Sequence, residues 1–434
     1  MSRRQPMIQD RAGIYHRLPF ELRPRPALMP FQQDGAEWLR GRSASLLGDD
    51  MGLGKTCQAI EVINSLPANA RVLICCPAGL RLNWLRELAL WLTERRLCCI
   101  AKRYIPSCPI VVVSYDQLRK FEVQLRAITW ELVICDEAHL IRNPFTIRCR
   151  QVLGDEWTLP LEAKRKILLT GTPVTRDAGQ LWSLLYWLGL RMPRDIFMLR
   201  AESCGGWLDG CLRGVMLRRM KRDVLKDLPA KTRQIVRITA AGAASRALAE
   251  ELTFERTREL ERFPGCKFTE TAEVRMQTAL AKLALPEVQE HLREAASAGK
   301  IVVFVCHHAT LNRAVAIMAE MGLHPLRYEG TMSTESRQAA VDAFQHLPQH
   351  RAIVVTIGAG STGITLTAAS HVIFLEETYD PTEISQAEDR VWRNGQKNAV
   401  LVQHLVLNGS IDCREIETQI AKQAVIDRTI NSTP

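Results

Sequence analysis

The stretch Leu46-Leu47-Gly48-Asp49-Asp50-Met51-Gly52-Leu53-Gly54-Lys55-Thr56 decides the fold. It ends in Gly-x-Gly-Lys-Thr, and Gln58-Ala59-Ile60-Glu61-Val62-Ile63 then reads as the start of a helix. A glycine loop feeding a helix presents free backbone N–H groups and the positive end of a helix dipole to an anion. Lys55 adds a point charge for β- and γ-phosphates, and Thr56 a hydroxyl for Mg²⁺. The stretch thus reads as a nucleoside triphosphate site, with Asp50, Met51, Gly52, Leu53, Gly54, Lys55 and Thr56 around the phosphates. The strict phosphate-loop spacing wants a glycine where Asp49 stands. A flexible turn is the bland alternative, so other parts of a phosphate machine must follow downstream.

Working outward, 434 residues imply two to three domains. An apolar content of 47% with 24% charged residues is that of a soluble globular chain with a sizeable core. The net charge of +10 favours a polyanion such as nucleic acid, against the alternative of a mildly basic enzyme without such a partner. Thirteen cysteines contain no Cys-x-x-Cys pair, and several lie in apolar runs. This suits buried free thiols in a reducing compartment and disfavours zinc or disulfide frameworks. The N-terminus has no apolar signal core. Ala352 to Leu375 carries no Asp, Glu, Lys or Arg and is long enough for a membrane span. Its glycines, hydroxyl residues and two β-branched runs read instead as two buried strands joined by a loop.

Residues 1–27 are polar and proline-rich and read as an arm. Leu28 to Leu39 opens a helix carrying Gln32, whose amide suits bidentate pairing with adenine. Apolar runs at Arg71–Cys76, Ile110–Tyr115, Leu132–Cys135 and Lys166–Leu169 read as parallel core strands alternating with helical segments. Their ends deliver Cys76-Pro77, Ser114-Tyr115, Asp136-Glu137-Ala138-His139 and Thr170-Gly171-Thr172-Pro173, and strand C-termini are where such sheets bind ligands. Residues 181–300 read as mostly helical. The basic cluster Arg213, Arg218, Arg219, Lys221, Arg222 and Lys226 has the reading of a solvated face. A second block of strands, Lys300–Cys306, Ala352–Ile357, Val372–Leu375 and Val400–Val406, repeats the alternation, and the chain from about 412 reads as an amphipathic helix.

Asp136-Glu137 at a strand end suits a Mg²⁺-dependent hydrolase, with Asp136 on the metal and Glu137 orienting the attacking water. The alternative is an acidic strand end capping the next helix. Arg390 and Arg393 share a helix face and suit neutralisation of charge developing in phosphoryl transfer, against an exposed basic face. Gly358-Ala359-Gly360-Ser361-Thr362-Gly363 has the letters of a dinucleotide fingerprint. The interval to the next strand is too short for a crossover helix, and no acid follows at the required distance.

This set resembles the motor core of helicase superfamily two, and within it the Swi/Snf-type DNA translocases. Gln32 matches the adenine-reading motif, and Asp49–Thr56 resembles motif I, with Asp50 where the family usually has glutamate. Cys76-Pro77 with Asn83-Trp84, Ser114-Tyr115, Asp136–His139 and Leu169–Pro173 resemble the next four motifs. Leu217-Arg218-Arg219-Met220-Lys221-Arg222-Asp223-Val224 with Leu228-Pro229 is the family-specific signature. Tyr328-Glu329-Gly330 with Arg337 and Phe344, Gly358–Ala368 and Gln386–Gln396 complete the series, with Thr365 in place of the usual asparagine. The resemblance covers residues 28 to about 410. It is greatest to the compact annealing-helicase branch and to small bacterial or phage members.

The resemblance implies an α/β chain of two tandem RecA-like, doubly wound parallel-sheet domains with a helical connector between them. The expected boundaries are an arm at 1–27, a first domain at 28–235, a connector at 236–290 and a second domain at 291–434. ATP and Mg²⁺ are the implied cofactors, and double-stranded or branched DNA is the implied partner, with no membrane. Localisation is expected in the cytoplasm of a bacterial or phage-infected cell, or in a eukaryotic nucleus. Lys55, Asp136, Glu137, Arg390 and Arg393 would be catalytic, Arg390 and Arg393 acting from the second domain, and Thr56 and Asp136 would hold the metal. Asn83, Trp84, Ser114, Tyr115 and Thr362 would line the DNA path, and Thr170, Thr172 and Gln386 would link nucleotide state to DNA grip. The rivals are a strand-separating DNA or RNA helicase and an inactive DNA-binding scaffold, which the intact set of charged residues disfavours.

Overall fold

A computed structural model describes residues 7–9, 15–17, 25–94, 96–157, 159–172, 179–204, 206–239, 268–360, 364–378, 381–413 and 416. The chain divides into two compact units at Lys226 and Asp227. Near the N-terminus β1 (Met7–Gln9) and β2 (Tyr15–Arg17) pair antiparallel.

The first unit is built on seven parallel strands. They are β3 (Ala44–Leu47), β4 (Val72–Cys76), β5 (Cys98–Ile100), β6 (Ile110–Ser114), β7 (Trp130–Asp136), β8 (Ala163–Leu169) and β9 (Met216–Leu217). They lie in the order β5-β6-β4-β7-β8-β3-β9. The central strands are apolar almost throughout because both faces are covered. Along β4, Val72, Ile74 and Cys76 enter one core with Ile60 and Leu88, while Leu73 and Cys75 enter the other with Val111 and Trp130. Period-two alternation thus feeds two cores from one strand. The helix Gln180–Trp187, apolar nearly all round, is buried through Leu181, Leu184, Leu185 and Trp187, as its composition requires.

The second unit carries six parallel strands: β10 (Lys231–Ile238), β11 (Ile301–Val305), β12 (Leu326–Tyr328), β13 (Ala352–Thr356), β14 (His371–Phe374) and β15 (Val400–Leu407). Their order is β10-β15-β14-β11-β13-β12. Again the central strand is shared, with Ile301, Val303 and Val305 in one core and Val302 and Phe304 in the other. The chain is therefore α/β with two parallel-sheet domains, as expected. The charge-free run from Ala352 to Leu375 forms β13 and β14, and no described helix is long and apolar enough to cross a membrane.

The second unit begins earlier than the expected boundaries at 235 and 291. Strand β10 pairs with β15 along its whole length, from Lys231↔Val400 to Ile238↔Leu407. As an edge strand it is half polar, which hides it from a search for apolar runs. The helix Phe268–Ala284, placed by sequence in the connector, and the helix Pro286–Ala298, which straddles the expected boundary at 291, supply Leu283, Val288 and Leu292 to the second unit's core. Residues 240–267 and most of the expected C-terminal helix lie outside the described residues.

A buried carboxylate ties β10 down. Glu388, with no exposed side-chain surface, accepts from Lys231 Nζ at 2.6 Å and from Arg233 Nε and Nη2 at 2.7 Å each. Lys231 and Arg233 share a strand face, so one carboxylate can take both. Burial pushes the Glu388 carboxyl up, but the two cations override it and bring the group down to about 2, against an ordinary 4.5. The folded value lies below the unfolded one, so the stabilisation is full above about pH 4.5 and is lost as pH falls towards 2. Glu388→Gln should cost about 3 kcal/mol at neutral pH. The gap in urea midpoint between parent and variant should narrow as pH drops from 5 to 3. A gap that stays constant with pH would contradict this assignment.

Candidate nucleotide site

Ser114, Tyr115, Asp136, Glu137, Thr170 and the glycine loop sit at or just beyond the C-terminal ends of parallel strands, while Gln32, Asn83 and Trp84 lie on helices. Strand β3 runs into the glycine loop, and the helix Lys55–Asn64 starts at its far side. Gly54, the residue before the helix, is left-handed at φ 76°, a conformation that favours glycine. A Cβ there would also lie 2.5 Å from Gln32 Nε2. Gly54 brings the amide of Gln32 onto the loop, where Nε2 donates to the Leu53 carbonyl at 3.2 Å. Gln32 Oε1 accepts from Met29 N at 3.0 Å. Each contact uses one of the amide's two donors or lone pairs, so one of each stays available for a ligand. Lys55 Nζ, at the first turn of the helix, donates to the Asp49 carbonyl at 2.8 Å, and Thr56 follows it.

Asp136 ends β7, two strands away from β3 in the sheet. Two neighbours fix it. The Trp84 indole N–H donates to Asp136 Oδ2 at 2.8 Å, and the Tyr115 hydroxyl donates to the Asp136 backbone carbonyl at 2.7 Å. Burial pushes the Asp136 carboxyl up to about 7, with Glu137 adding to the rise and Trp84 and Lys55 opposing it. Glu137 is one of two described non-glycine residues at positive φ, at 50°, a strain that persists only where surrounding structure imposes it. Its carboxylate lies 3.2 Å from His139 Nδ1, which in turn lies 3.4 Å from Thr170 Oγ1 beyond β8. Thr172 N donates to Thr170 Oγ1 at 3.2 Å. Lys55, Asp136, Glu137, His139 and Thr170 are thus carried on the ends of three neighbouring strands, β7, β8 and β3.

Three residues expected to line a DNA path are placed otherwise. Trp84, Ser114 and Tyr115 are buried, at 1%, 2% and 3% exposure. They present no surface to a polynucleotide, and Trp84 and Tyr115 brace Asp136 instead. Motif order alone gave no sign of this. A buried indole must satisfy its N–H, and the Asp136 carboxylate provides the acceptor. Asn83 is half-buried, and Thr362 lies outside the described residues.

The basic cluster departs furthest from expectation. Arg218 donates to the Gly48 and Gly171 carbonyls at 2.9 and 3.1 Å. The backbone of this segment continues β9 beside the glycine loop, with Gly48 N donating to Leu217 O and Asp50 N to Arg219 O. Asp50, expected at the phosphates, accepts from Lys221 N through Oδ2 at 3.2 Å. Lys221 itself is only 1% exposed. The solvated-face reading therefore fails for Arg218, Arg219 and Lys221, while Arg222 is exposed.

In the second unit Arg393 Nη1 donates to the Ile364 carbonyl at 3.1 Å and to Thr365 Oγ1 at 2.9 Å. Thr365, the departure from asparagine, still offers an oxygen to this arginine. Gln396 holds the same turn through the Ala369 and Val391 carbonyls. Gln386 is buried and Arg390 half-buried. All of these belong to the second unit, apart from the residues of the first.

Residues 31–262 match the SNF2-related domain, and residues 283–395 match the helicase conserved C-terminal domain. The chain belongs to the SNF2-related family of helicase-like ATPases. Among its SNF2-related relatives, the DNA annealing helicase and endonuclease ZRANB3 of Mus musculus is 31% identical over 95% of this chain and 41% of its own length. The SWI/SNF-related matrix-associated actin-dependent regulator of chromatin subfamily A-like protein 1 of Xenopus tropicalis is 30% identical over 89% of this chain and 43% of its own. The chain therefore spans about two fifths of the length of these curated relatives. The Sulfolobus solfataricus SWI2/SNF2 ATPase core in complex with dsDNA is 24% identical, covers 95% of this chain and 96% of its own, and superposes with a TM-score of 0.46.

The donors present suit the Mg²⁺ such ATPases use. Asp136 and Thr56 would offer hard oxygen donors, and no described group of three or more His, Cys, Asp or Glu forms a metal cage. Mg²⁺ commonly takes one or two protein oxygens and leaves the remaining positions to water and phosphate. The brace on Asp136 can be tested without metal. Trp84→Phe keeps the ring and removes the N–H. Losing a hydrogen bond to the ionised form should raise the Asp136 pKa by about one unit or more. Carbon-13 NMR of selectively labelled aspartate in metal-free protein would read this, and an unchanged titration would refute the brace.

Proposed function

We propose that the chain is an ATP-driven translocase on double-stranded DNA. The observation that carries it is the placement of Lys55 beyond β3 and of Asp136 and Glu137 at the end of β7, the two strands that flank β8, in a SNF2-related chain, with Gln32 held on the same glycine loop. The net charge of +10 and the DNA-directed names of its relatives support the choice of substrate.

In this reading Gln32 selects adenine with the donor and acceptor it has free. Lys55 and the loop amides hold the phosphates, and Thr56 and Asp136 hold Mg²⁺, which supplies charge neutralisation on the phosphate oxygens. Glu137 orients a water and takes its proton as the water oxygen bonds to the γ-phosphorus and the bond to the bridging oxygen breaks. His139, between Glu137 and Thr170, ties that carboxylate to the segment after β8. Thr170 and Thr172 thereby sense the nucleotide. Arg390 and Arg393 neutralise charge that develops in the transition state, and Gln386 supports them. Asn83 and the loop containing Thr362 contact DNA phosphates, giving binding that is salt-sensitive and largely sequence-independent.

The test pairs two assays on one preparation. The protein should displace the third strand of a DNA triplex in the presence of ATP while leaving a plain duplex unseparated. Lys55→Ala should abolish displacement and retain DNA binding. Efficient unwinding of a fluorophore–quencher duplex would select a strand-separating helicase instead. Displacement surviving in Lys55→Ala would remove the nucleotide site from the reading.

A further inference from the structure

Arg219 closes a ring of hydrogen bonds through both parts of the nucleotide site. Its guanidinium takes the Asp49 carboxylate side-on, Nε to Oδ1 at 3.0 Å and Nη2 to Oδ2 at 2.5 Å. Nη2 also reaches Gln58 Oε1 at 2.8 Å, and Nη1 donates to the Phe31 carbonyl. Gln58 Nε2 in turn donates to Asp49 Oδ2 and to the Leu53 carbonyl, at 3.2 Å each. Leu53 O is also the acceptor of Gln32, and Gln32 is covalently next to Phe31. The ring thus runs from Arg219 through Asp49, Gln58, Leu53 and Gln32 back to Phe31. Asp49 is fully buried, and its own carbonyl receives Lys55 Nζ. Gly35 makes the close approach possible, because a Cβ there would lie 1.9 Å from Gln58 Oε1 and 2.5 Å from Arg219 Nη2.

We propose that Arg219 is a positioning and specificity-determining residue for the nucleotide: it locks the adenine-reading turn at Phe31-Gln32 to the phosphate loop at Asp49. This rests on the reading of the site as an ATP site and adds the residue that sets its base preference. The fork geometry matters. Arginine presents parallel N–H groups to a carboxylate and has a further donor for a carbonyl, whereas lysine offers a single point charge. A guanidinium committed to Asp49, Gln58 and Phe31 has its donors turned inward, so Arg219 does not serve as a DNA phosphate contact despite lying in the basic signature.

The experiment measures binding of fluorescent ATP and GTP analogues, without turnover, to the full chain and to Arg219→Lys, Arg219→Gln, Gly35→Ala and Lys55→Ala. Arg219→Lys should lose about tenfold in ATP affinity, and its preference for ATP over GTP should shrink as the Gln32 turn comes loose. Gly35→Ala, which spreads the ring from the opposite side, should do the same. The dependence of DNA binding on salt should keep the parent slope in Arg219→Lys and Arg219→Gln alike, since a lost phosphate contact would lower it by about one. Thermal melting identifies variants that fold. If Arg219→Gln does not fold, Arg219→Lys and Gly35→Ala decide the matter. Parent-like ATP affinity and base preference in both would overturn the proposal, as would a reduced salt slope in any Arg219 variant. Lys55→Ala separates the two claims. If it binds ATP like the parent, the ATP-site reading itself fails. If Lys55→Ala loses binding while the Arg219 and Gly35 variants do not, only the role of Arg219 fails.

Discussion

A carboxylate buried at the entrance of a phosphate-binding loop is unfavourable twice over. It has left water, and it sits on the loop proposed to hold the anionic phosphates. Asp49 is such a group, with no exposed side-chain surface, and the rest of the first unit's site is arranged around its neutralisation by Arg219. An uncompensated charge at that depth would cost several kcal/mol, and removing one partner of such a pair typically costs about 3–5 kcal/mol. The pairing turns the liability into a fastening. With its carboxylate committed to Arg219, Asp49 offers its carbonyl to Lys55, and the loop acquires a fixed relation to the helix that carries Gln32. The residue that looked like a spacing error in the glycine loop is the one on which the loop's geometry depends.

Two other acids, Asp136 and Glu388, are held in different ways. Asp136 is held by the Trp84 and Tyr115 donors rather than by a cation, which leaves its charge uncancelled and its pKa high. A divalent cation bound to such a carboxylate is favoured over one bound to an already neutralised group. Glu388 in the second unit is the opposite case, saturated by Lys231 and Arg233 and serving to fasten an edge strand. The partner chemistry separates Asp136, proposed as a metal ligand, from Asp49 and Glu388, which are committed to cations.

Much of this was legible in the sequence, for physical reasons. The central strands are covered on both faces, so they read as unbroken apolar runs, and their ends carry the polar residues that form the site. The glycine loop between β3 and the helix Lys55–Asn64, and Asp136-Glu137 at the end of β7, could be placed in the fold by letter alone, while Asp50 turned to Lys221 N instead. Strands β5, β9 and β12 are only two or three residues long, too short for any periodicity to register, and the polar edge strand β10 was assigned to the wrong side of the domain boundary. The roles of Trp84, Tyr115 and Arg219 were missed because each acts through a contact across the fold, at sequence separations of 52, 21 and 170 residues. A single sequence shows what those residues are and not what they face. One signal was present: an aspartate following a buried strand must have a partner, and the basic Leu217–Val224 signature offered cations for it.

In the proposed function, double-stranded DNA drives ATP turnover in this chain. The most direct measurement is the rate of phosphate release at saturating ATP, compared across duplex DNA, forked DNA, single-stranded DNA, RNA and no nucleic acid. Strong stimulation by duplex and forked DNA is expected, with little by single strands and none by RNA. Stimulation by RNA or single-stranded DNA equal to that by duplex, or turnover indifferent to nucleic acid, would contradict it.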